Sequence, residues 1–409
     1  MLRWIIFISL YLAFGLYVIQ ALRTVTRYPW VYFTYMGISL IVLLNFIYQF
    51  TWGADAGGVL SRPKSYAFGF LLTMITFKLI TIIFLFSEDI FRFLAGIYHK
   101  FFGVTKTFSL PERRRFLSLI AMGMAAIPFG ALLYGMYKGK YNFKVLKYSL
   151  EFDDLPDAFD GYQITQISDV HSGSFDNKEK IEYAMDLINE QESDLILFTG
   201  DMVNNKAEEM LPWKDTFSRL RAKDGKYSVL GNHDYGDYVP WETEELKKAN
   251  LEDLKNIQKE IGFELLLNEN RYLQKGTDKI ALVGVENWGR GGFKKAGDLK
   301  KAVEGISNDE FKILMSHDPS HWEDIVVGDD YHYHLTLSGH THGMQFGIEI
   351  PGWVKWSPVK WRYTYWAGIY KEMGQYINVN RGFGFLGYPG RVGIWPEITV
   401  ITLKKKSLT

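Results

Sequence analysis

Four long apolar stretches dominate the first third of the chain, namely Trp4–Leu22, Trp30–Phe50, Ala67–Phe86 and Leu117–Met136. Each is close to the roughly 20 residues that an α-helix needs to cross the hydrocarbon core of a bilayer. A buried helix of a soluble protein normally carries a polar stripe, whereas these stretches are apolar all round apart from Lys78 in the third. The pattern therefore predicts an all-α, four-helix transmembrane domain over residues 1–140.

The pattern changes after residue 140, where short apolar runs alternate with charged, amphipathic segments. The short runs predict β-strands over residues 162–168, 194–200, 226–232, 279–285, 311–316 and 333–339. Between them, helical periodicity predicts helices over residues 177–190, 213–221, 242–261 and 295–303. Strands that alternate with helices indicate an α/β domain, which we assign to residues 141–409.

Side chains that can bind metals follow nearly every one of these predicted strands. In chain order they are Asp169 and His171, Asp201, Asn232 and His233, His317, and finally His340 and His342. The last pair lies in "LSGHTHGMQFG", where alternate side chains of an extended chain leave the same face and the glycines let the backbone approach closely. Each fragment alone is weak. Their shared position at the carboxyl ends of strands, where α/β folds assemble sites, predicts a metal centre.

Composition narrows the chemistry of such a centre. The chain has no cysteine, so disulfides and thiolate ligands are excluded, and His, Asp, Glu and Asn remain as ligands. Lys plus Arg and Asp plus Glu both number 46, so the net charge of zero gives no bulk attraction to nucleic acid, and no nucleic-acid partner is expected. Neither a GxSxG nucleophile elbow nor a GxxxxGK[ST] phosphate loop occurs in the chain.

This ligand set suits two divalent metals held about 3.5–4 Å apart, which need oxygen ligands, imidazoles and one bridging carboxylate. Such a pair polarises a phosphoryl oxygen and lowers the pKa of a water, so that hydroxide attacks phosphorus in line with the leaving group. No nucleophile from the protein is then required. The sequence thus favours hydrolysis of a phosphoester by metal-activated hydroxide.

The order of these motifs resembles that of the calcineurin-like metallophosphoesterase superfamily. The matching segments are Asp169-x-His171, Gly200-Asp201, Gly231-Asn232-His233-Asp234, His317 and Gly339-His340-Thr341-His342. The tail "NVNRGFGFLGYPGRVGIWPEITVITL" (378–403) also resembles the membrane-associated bacterial branch with N-terminal transmembrane helices. The resemblance implies a four-layer α/β/β/α metallophosphoesterase sandwich after the helical domain, and a metal-dependent phosphoric ester hydrolase.

The resemblance also implies a role for each motif residue. The first metal would be held by Asp169, His171 and His342, the second by Asn232, His317 and His340, and Asp201 would bridge both. His233 would contact phosphate and assist the leaving group, and Asp234 would orient His233, so these two form the expected catalytic pair. Asn232 is also expected to contact the substrate, and Arg381 in "NRGFG" to pair with a phosphate oxygen.

One departure from related enzymes bears on the metal. Purple acid phosphatases place a tyrosine three residues after the bridging aspartate, whereas this chain has Asn204 there. A tyrosinate–iron site is therefore disfavoured, and we expect two divalent ions, Mn²⁺ or Zn²⁺, with iron as the remaining option. The nearby His321, His332 and His334 are expected to be structural, and Asp318 to support a ligand.

An aromatic and basic segment, "PGWVKWSPVKWRYTYW" (351–366), lies between the last histidine and the tail. Tryptophan, tyrosine and basic residues together suit the headgroup zone of a membrane. Combined with four predicted spans, the segment favours the lipid bilayer as a partner and a lipid or lipid-linked phosphoester as the substrate. The alternative is a loop packed on the catalytic core, with a soluble nucleotide or phosphoprotein as the substrate.

The orientation in the membrane is predicted from "ERRRFLSLIAMGMAAIPFG" (112–130), since the basic residues that flank the spans are nearly balanced. Paired arginines before an apolar stretch resemble a twin-arginine export signal, which keeps Arg113–Arg115 in the cytoplasm. We therefore expect an integral protein of the bacterial inner membrane with an extracytoplasmic catalytic domain. Two alternatives remain: a UDP-diacylglucosamine pyrophosphatase-like enzyme of lipid A synthesis, which needs a cytoplasmic active site, and a non-catalytic membrane receptor or scaffold.

Overall fold

The computed structural model of the 409-residue chain describes residues 2–53, 61–102, 111–350 and 352–406. The chain divides into two compact units, one built from Met1–Ala56 with Pro63–Tyr137 and the other from Gly57–Arg62 with Lys138–Thr409. The first unit holds the long helices, and the second holds strands and shorter helices. Helical and mixed structure are thus segregated along the chain.

The first unit contains α1 (Leu2–Val25), α2 (Pro29–Thr51), α3 (Arg62–Phe102) and α4 (Pro111–Tyr137). All four are long and apolar enough to cross a membrane, which confirms the spans predicted from the apolar pattern. Large apolar side chains such as Phe33, Ile41 and Ile127 point outward from the unit. Helices that are apolar on their outer surface suit a lipid environment rather than water.

Helix α3 is longer than the predicted span, because it has 41 residues where about 20 cross a bilayer. Glu88 and Asp89 end the apolar pattern within it, yet the helix continues past them. Arg114 of α4 forms ion pairs with both carboxylates, and the hydroxyl of Tyr17 donates to Asp89 at 2.5 Å. Because these partners balance the two charges, the helix passes through the charged position without a break.

The second unit contains α5 (Lys178–Asn189), α6 (Lys214–Phe217), α7 (Glu244–Glu260), α8 (Leu299–Ala302) and α9 (Pro319–Asp324). Its strands are β1 (Lys144–Phe152), β2 (Gln163–Ile167), β3 (Leu195–Phe198), β4 (Lys226–Ser228), β5 (Glu264–Leu265), β6 (Glu269–Lys275), β7 (Asp278–Gly284), β8 (Lys312–Met315), β9 (Leu335–Ser338), β10 (Ile348–Ile350), β11 (Val354–Trp356), β12 (Gly368–Glu372), β13 (Gln375–Val379) and β14 (Glu397–Lys405). The six predicted strands correspond to β2, β3, β4, β7, β8 and β9.

Two of the predicted helices are much shorter in the structure. The one expected over residues 213–221 is reduced to α6, which follows a 3₁₀ segment, Ala207–Trp213, that contains Pro212. The one expected over residues 295–303 is reduced to α8, because the side chain of Asp298 caps the helix by accepting from the Lys301 N–H. In both places a residue that constrains the backbone, a proline in the first and a capping aspartate in the second, shortens the helix that the amphipathic pattern predicts.

The strands form two six-stranded sheets with the orders β1-β14-β2-β3-β4-β5 and β12-β13-β9-β8-β7-β6, and β10 pairs with β11 apart from them. Strands β2 to β5 run parallel in the first sheet, and strands β7, β8, β9 and β13 run parallel in the second. Parallel strands bring all of their carboxyl ends to one edge of a sheet. The residues that follow these strands are therefore placed side by side.

Four layers make up the second unit. Side chains such as Leu197 of β3 and Ile313 of β8 fill the space between the two sheets. Helices α5 and α7 cover the outer face of the first sheet, where Met185 joins the core. Helices α8 and α9 cover the second sheet, where Trp322 is fully buried. This α/β/β/α arrangement confirms the fold class that the motif resemblance implies.

Candidate metal centre

The motif residues converge where the parallel strands of both sheets end. The loops after β2, β3 and β4 contribute from the first sheet, and the loops after β8 and β9 contribute from the second. The side chains brought together are those of Asp169, His171, Asp201, Asn232, His233, His317, His340 and His342. Most of them are buried, and His233 and His340 are partly exposed. The site therefore lies between the sheets and opens at their edge.

Asp169, His171 and His342 form a first group of potential metal ligands. The Nε2 atom of His342 lies 3.0 Å from Nε2 of His171 and 3.2 Å from Oδ1 of Asp169. Metal–ligand bonds of about 2.0–2.2 Å put neighbouring ligand atoms about 3 Å apart. The three atoms thus stand at the mutual distances expected of ligands around one ion.

Asp201, His317 and His340 form a second group. Oδ2 of Asp201 lies 3.1 Å from Nε2 of His317. Asn232 joins this group, because its Oδ1 is 2.8 Å from Nδ1 of His340. Amide and carboxylate oxygens together with imidazole nitrogens are a ligand set that several divalent metals accept.

Asp201 lies between the two groups. Its Oδ2 is 3.6 Å from Nε2 of His171 in the first group and 3.1 Å from Nε2 of His317 in the second. Its Oδ1 accepts a hydrogen bond of 2.8 Å from the backbone N–H of His233, which fixes the carboxylate. A carboxylate in this position can contact two ions at once.

The protonation states of the site follow from burial and close contact. Burial raises the pKa of Asp201, but attraction to His317 and His233 outweighs burial and holds that pKa well below its ordinary value. Burial lowers the pKa of His171 well below its ordinary value, and burial also lowers the pKa of His340. A charged carboxylate beside neutral imidazoles is the state in which these groups bind a metal.

His317 provides a test of whether cations fit here. Its Nδ1 lies 2.7 Å from the carbonyl oxygen of Thr199, which can only accept, so Nδ1 carries a hydrogen and Nε2 of the neutral ring presents a lone pair. That Nε2 is buried and lies 3.1 Å from Oδ2 of Asp201. Burial lowers the pKa of His317, but the carboxylate of Asp201 outweighs it and raises the pKa to about 10, so beside this carboxylate Nε2 holds a proton at neutral pH, and a bound cation would replace that proton and leave the neutral ring. A histidine whose one nitrogen is anchored to a backbone carbonyl while the other faces a carboxylate is typical of metal sites, and the residues fit divalent cations.

The backbone at the site is unusual. The five residues Asp169, His171, Asp201, His340 and His342 have φ between 47° and 69°, in the left-handed region. Side chains other than glycine rarely adopt it, and such strain concentrates at functional sites. At Gly339 a Cβ atom would lie 2.3 Å from Oδ2 of Asp169, so only glycine lets the loop after β9 approach the loop after β2.

The structure corrects the expected pairing of Asp234 with His233. Nδ1 of His233 lies 2.7 Å from the carbonyl oxygen of Asn204 instead. The carboxylate of Asp234 accepts from the backbone N–H groups of Asp201, Met202 and Gly231 at 2.8–2.9 Å. Asp234 therefore joins the loops after β3 and β4, and Asn204 holds the histidine. Sequence reasoning missed this contact, because a backbone carbonyl leaves no signal in the side chain.

A cavity of about 300 Å³ opens beside the two groups. On one side it is lined by Asp201, Asn232, His233, His340 and His342. The rest of the wall is formed by Phe293, Thr341, Met344, Pro358, Val359, Arg362, Tyr363 and Leu386. The metal-binding groups therefore face a largely apolar surface that contains one cation.

That cation is Arg362, whose guanidinium lies over the ring of Phe293 at 5.1 Å. Among the residues that the structure describes, no carboxylate forms an ion pair with Arg362. Arg381, the arginine expected to bind phosphate, is buried between Glu349 and Glu397 at nitrogen–oxygen distances of 2.5–3.0 Å. Its phosphate-binding role stays a prediction, and its donors are occupied in the structure. The sequence did not predict that Arg362 lines the cavity, because this residue lies among the tryptophans of the aromatic segment.

The tryptophans of the aromatic segment divide between surface and core. Trp353 and Trp361 expose 79% and 77% of their surface, whereas Trp366 exposes 5%. Trp366 packs in a small cluster with Val359 and Ile394. The segment thus has an exposed part, formed by Trp353 and Trp361 and called the rim below, and a part that packs on the second unit, which holds the metal-binding groups.

Comparison with protein families gives two matches along the chain. A model described as "Probable Calcineurin-like phosphoesterase, transmembrane domain" matches residues 2–140. A model described as "Calcineurin-like phosphoesterase" matches residues 162–344. The second range includes every candidate metal ligand from Asp169 to His342, and the first includes the four long helices, so the two matches describe a membrane protein.

Curated relatives agree with these matches. The "Uncharacterized metallophosphoesterase YkuE" of Bacillus subtilis is 31% identical over 305 residues, which cover 72% of this chain and 98% of the relative. A Danio rerio "Transmembrane protein with metallophosphoesterase domain" is 25% identical over 301 residues, which cover 72% of this chain and 63% of the relative. An "Uncharacterized metallophosphoesterase" of Helicobacter pylori is 27% identical, with 78% of this chain and 79% of the relative covered.

Proposed function

We propose that this chain, which belongs to the calcineurin-like metallophosphoesterase family and is a metal-dependent phosphoester hydrolase, acts on a phosphoester of a lipid or a lipid-linked group. The observation that carries the proposal is the apolar wall of the cavity, with Phe293, Met344 and Leu386 facing the metal-binding groups. Burying an apolar alcohol on this wall would contribute about 25 cal/mol per Å². A small polar ester would gain none of that energy.

In this proposal the chain's own side chains hold two divalent cations. Asp169, His171 and His342 would hold one, Asn232, His317 and His340 would hold the other, and Asp201 would contact both. Mn²⁺ and Zn²⁺ both suit this mixture of carboxylate, amide and imidazole ligands. When bound, the two cations would neutralise phosphate charge and lower the pKa of a water that attacks phosphorus.

His233 is the proposed proton donor to the leaving oxygen. Its Nδ1 faces the carbonyl of Asn204 and must keep a hydrogen, so Nε2 is the atom that exchanges a proton with substrate. The ring lines the cavity beside Asp201. Burial lowers the pKa of His233, and the charge of Asp201 opposes that effect. A proton held at such a site is easily transferred to an alkoxide.

Arg362 is proposed to bind a non-bridging phosphate oxygen. It lines the same cavity, it lacks a carboxylate partner among the described residues, and the ring of Phe293 supports its guanidinium. Arginine binds phosphate oxygens through two parallel N–H groups. The cation would then hold the phosphate at the metals while the alcohol lies on the apolar wall.

The exposed rim suggests how a lipid would reach this cavity. Trp361 ends the 3₁₀ turn Pro358–Trp361, whose first two residues, Pro358 and Val359, line the cavity, and Trp353 lies close by in sequence. Exposed tryptophans favour the headgroup zone of a bilayer. We further propose that the protein resides in a bacterial inner membrane and that its catalytic unit is extracytoplasmic.

The test is phosphate release by the purified full-length protein with added Mn²⁺. Phosphatidic acid in mixed micelles is compared with glycerol 3-phosphate, which carries the same phosphate without acyl chains. We expect kcat/KM to be at least about tenfold higher for the lipid, the ratio that about 1.4 kcal/mol of apolar burial gives. Equal values, or a preference for glycerol 3-phosphate, would contradict the lipid assignment.

A pair of double variants tests the rim. Trp353→Ser with Trp361→Ser should lower activity on phosphatidic acid several-fold and leave p-nitrophenyl phosphate hydrolysis unchanged, because these side chains face outward. Tyr183→Ser with Met373→Ser, which removes two other exposed side chains of the same unit, is the matched control. Equal losses of activity on both substrates would contradict a role in lipid binding and would show that these tryptophans support the fold.

A further inference from the structure

A second cavity, of about 870 Å³, lies in the helical unit where α1 ends and where α2 and α4 begin. Its lining consists of Arg23, Thr24, Val25, Thr26, Arg27, Tyr28, Arg114 and Arg115. Half of these residues are arginines, and they come from two segments far apart in the chain. The lining therefore has the composition of an anion receptor rather than of a lipid-facing groove.

The arginines differ in how their charges are balanced. Arg114 forms ion pairs with Glu88 and Asp89 of α3. Arg23 lies over the ring of Tyr32 at 5.8 Å. Among the side chains of residues 2–53, 61–102 and 113–137, no carboxylate forms an ion pair with Arg23, Arg27 or Arg115. Three positive charges thus face one cavity with no counter-ion among the described side chains.

Hydrogen bonds hold the two arginine-bearing segments together. The hydroxyl of Thr24 in α1 lies 2.9 Å from that of Ser118 in α4 and 2.7 Å from the carbonyl oxygen of Ala21. The ion pairs of Arg114 tie the start of α4 to α3. These contacts fix the positions of the helix ends that form the cavity. The guanidinium groups therefore lie close together before any ligand binds.

The first turn of α2 adds to the positive potential, and the last turn of α1, which carries the negative end of its dipole, opposes it. Tyr28 is the N-cap residue of α2, its side chain makes no capping hydrogen bond, and Pro29 opens the helix. The helix has 23 residues, so its first turn carries the positive end of a full helix dipole. An anion near Tyr28 would meet this end as well as the arginines.

We propose that this cavity binds a phosphate group, and its place at the ends of membrane-spanning helices assigns that phosphate to an anionic phospholipid headgroup. Arginine pairs with phosphate oxygens in parallel, and basic residues at this level of a membrane attract anionic lipids. Tyr28 and Trp30 are largely exposed next to the cavity, as aromatic residues at the headgroup level commonly are. The site is distinct from the metal centre and takes a lipid that is held rather than hydrolysed.

The test uses full-length protein in dodecyl maltoside with EDTA, which suppresses binding at the metal centre. Thermal unfolding is followed while phosphatidylglycerol, phosphatidylcholine or inorganic phosphate is added. A ligand that binds the folded state raises the unfolding temperature in proportion to its saturation. We expect phosphatidylglycerol to raise it and phosphatidylcholine to have little effect. If inorganic phosphate at millimolar concentration raised the unfolding temperature equally, the cavity would still be a phosphate site, but its assignment to a lipid headgroup would be wrong.

Variants separate the cavity from general surface charge. Arg23→Gln with Arg115→Gln should weaken phosphatidylglycerol binding at least about tenfold, as expected for the loss of two charge-assisted contacts. Arg92→Gln, which removes an arginine of α3 outside the lining, should change it less than about twofold. Arg27→Gln is a second cavity variant if the double variant fails to fold. Equal stabilisation by phosphatidylcholine, or equal affinity of the cavity variants and Arg92→Gln, would overturn the proposal.

Discussion

At the scale of single residues, Asp201 links the two groups of potential ligands through one oxygen atom. Asp201→Asn would remove the negative charge that both cations need. We expect metal content to fall and turnover to drop by at least about 10³-fold, which corresponds to about 4 kcal/mol of transition-state stabilisation. Metal analysis and phosphate release measure the two effects. Asp186→Asn, at an exposed aspartate of α5, is the control, and two bound ions with a near-normal rate in Asp201→Asn would contradict the bridging role.

His233 should behave differently, because it contacts Asn204 and the cavity rather than a cation in our proposal. We expect His233→Ala to keep its metal and to lose about 10²–10⁴ in rate, the usual scale for a general acid. The loss should be smaller for p-nitrophenyl phosphate, whose leaving group needs no proton. Loss of metal together with activity would make His233 a ligand instead.

Arg362 and Arg381, two arginines near the site, make a direct comparison. Arg362 lines the cavity, and Arg381 is held by Glu349 and Glu397. Arg362→Gln should raise KM about tenfold or more with unchanged metal content, because a charged phosphate contact is lost. Arg381→Gln should mainly lower the unfolding temperature, because it leaves buried Glu397 without its cation. The reverse pattern of KM and stability would return the phosphate-binding role to Arg381.

At the scale of elements, His334 connects two neighbouring strands of the second sheet. It stands before β9, accepts the Lys312 N–H of β8 at 3.0 Å, and stacks on Phe311 at 4.1 Å. The side chain is almost completely buried, which agrees with the structural role expected from the sequence. Because Nδ1 of His334 accepts this hydrogen bond, the ring is held in its neutral form.

Burial lowers the pKa of His334 from 6.5 to about 4. Between these values the unfolded chain binds a proton that the folded chain does not, so stability is full above pH 6.5 and is lost as the pH falls toward 4. The loss is at most about 3 kcal/mol. His334→Gln should flatten this part of a stability–pH curve measured by thermal unfolding. An unchanged slope in His334→Gln would show that other groups titrate there.

At the scale of the whole molecule, our proposal places the catalytic unit outside the cytoplasm. If Arg113–Arg115 stay inside, a reporter fused after Thr409 should be active only outside the cytoplasm. A cytoplasmic signal would contradict the outward orientation and favour the UDP-diacylglucosamine pyrophosphatase-like alternative.

The structure adds a second explanation for the paired arginines, since Arg113 and Arg114 both contact Glu88. Replacing both arginines by lysine preserves their charge. An export signal predicts that the double variant is not exported, whereas ion pairing alone predicts normal export with a slightly lower unfolding temperature. Fractionation of cells that express the variant distinguishes the two outcomes.

The sequence by itself determined the features that depend on local pattern. Apolar length defined the four helices of the first unit, and short apolar runs located the six central strands. The order of ligand residues after those strands was enough to identify the family, because parallel strands bring their carboxyl ends to one edge whatever the detailed packing is. The length of α3 was underestimated, because the partners of Glu88 and Asp89 lie on other helices.

Only the tertiary structure decided contacts between segments far apart in the chain. The left-handed backbone at Asp169 and His342 and the approach of Gly339 to Asp169 arise from the meeting of two sheets. The carbonyl of Asn204, rather than the carboxylate of Asp234, holds His233. The residue type gives no sign of a backbone acceptor, and an arginine's partner depends on which carboxylate the fold brings near it. Residue identity therefore defines what a side chain can do, and packing defines which atoms it meets.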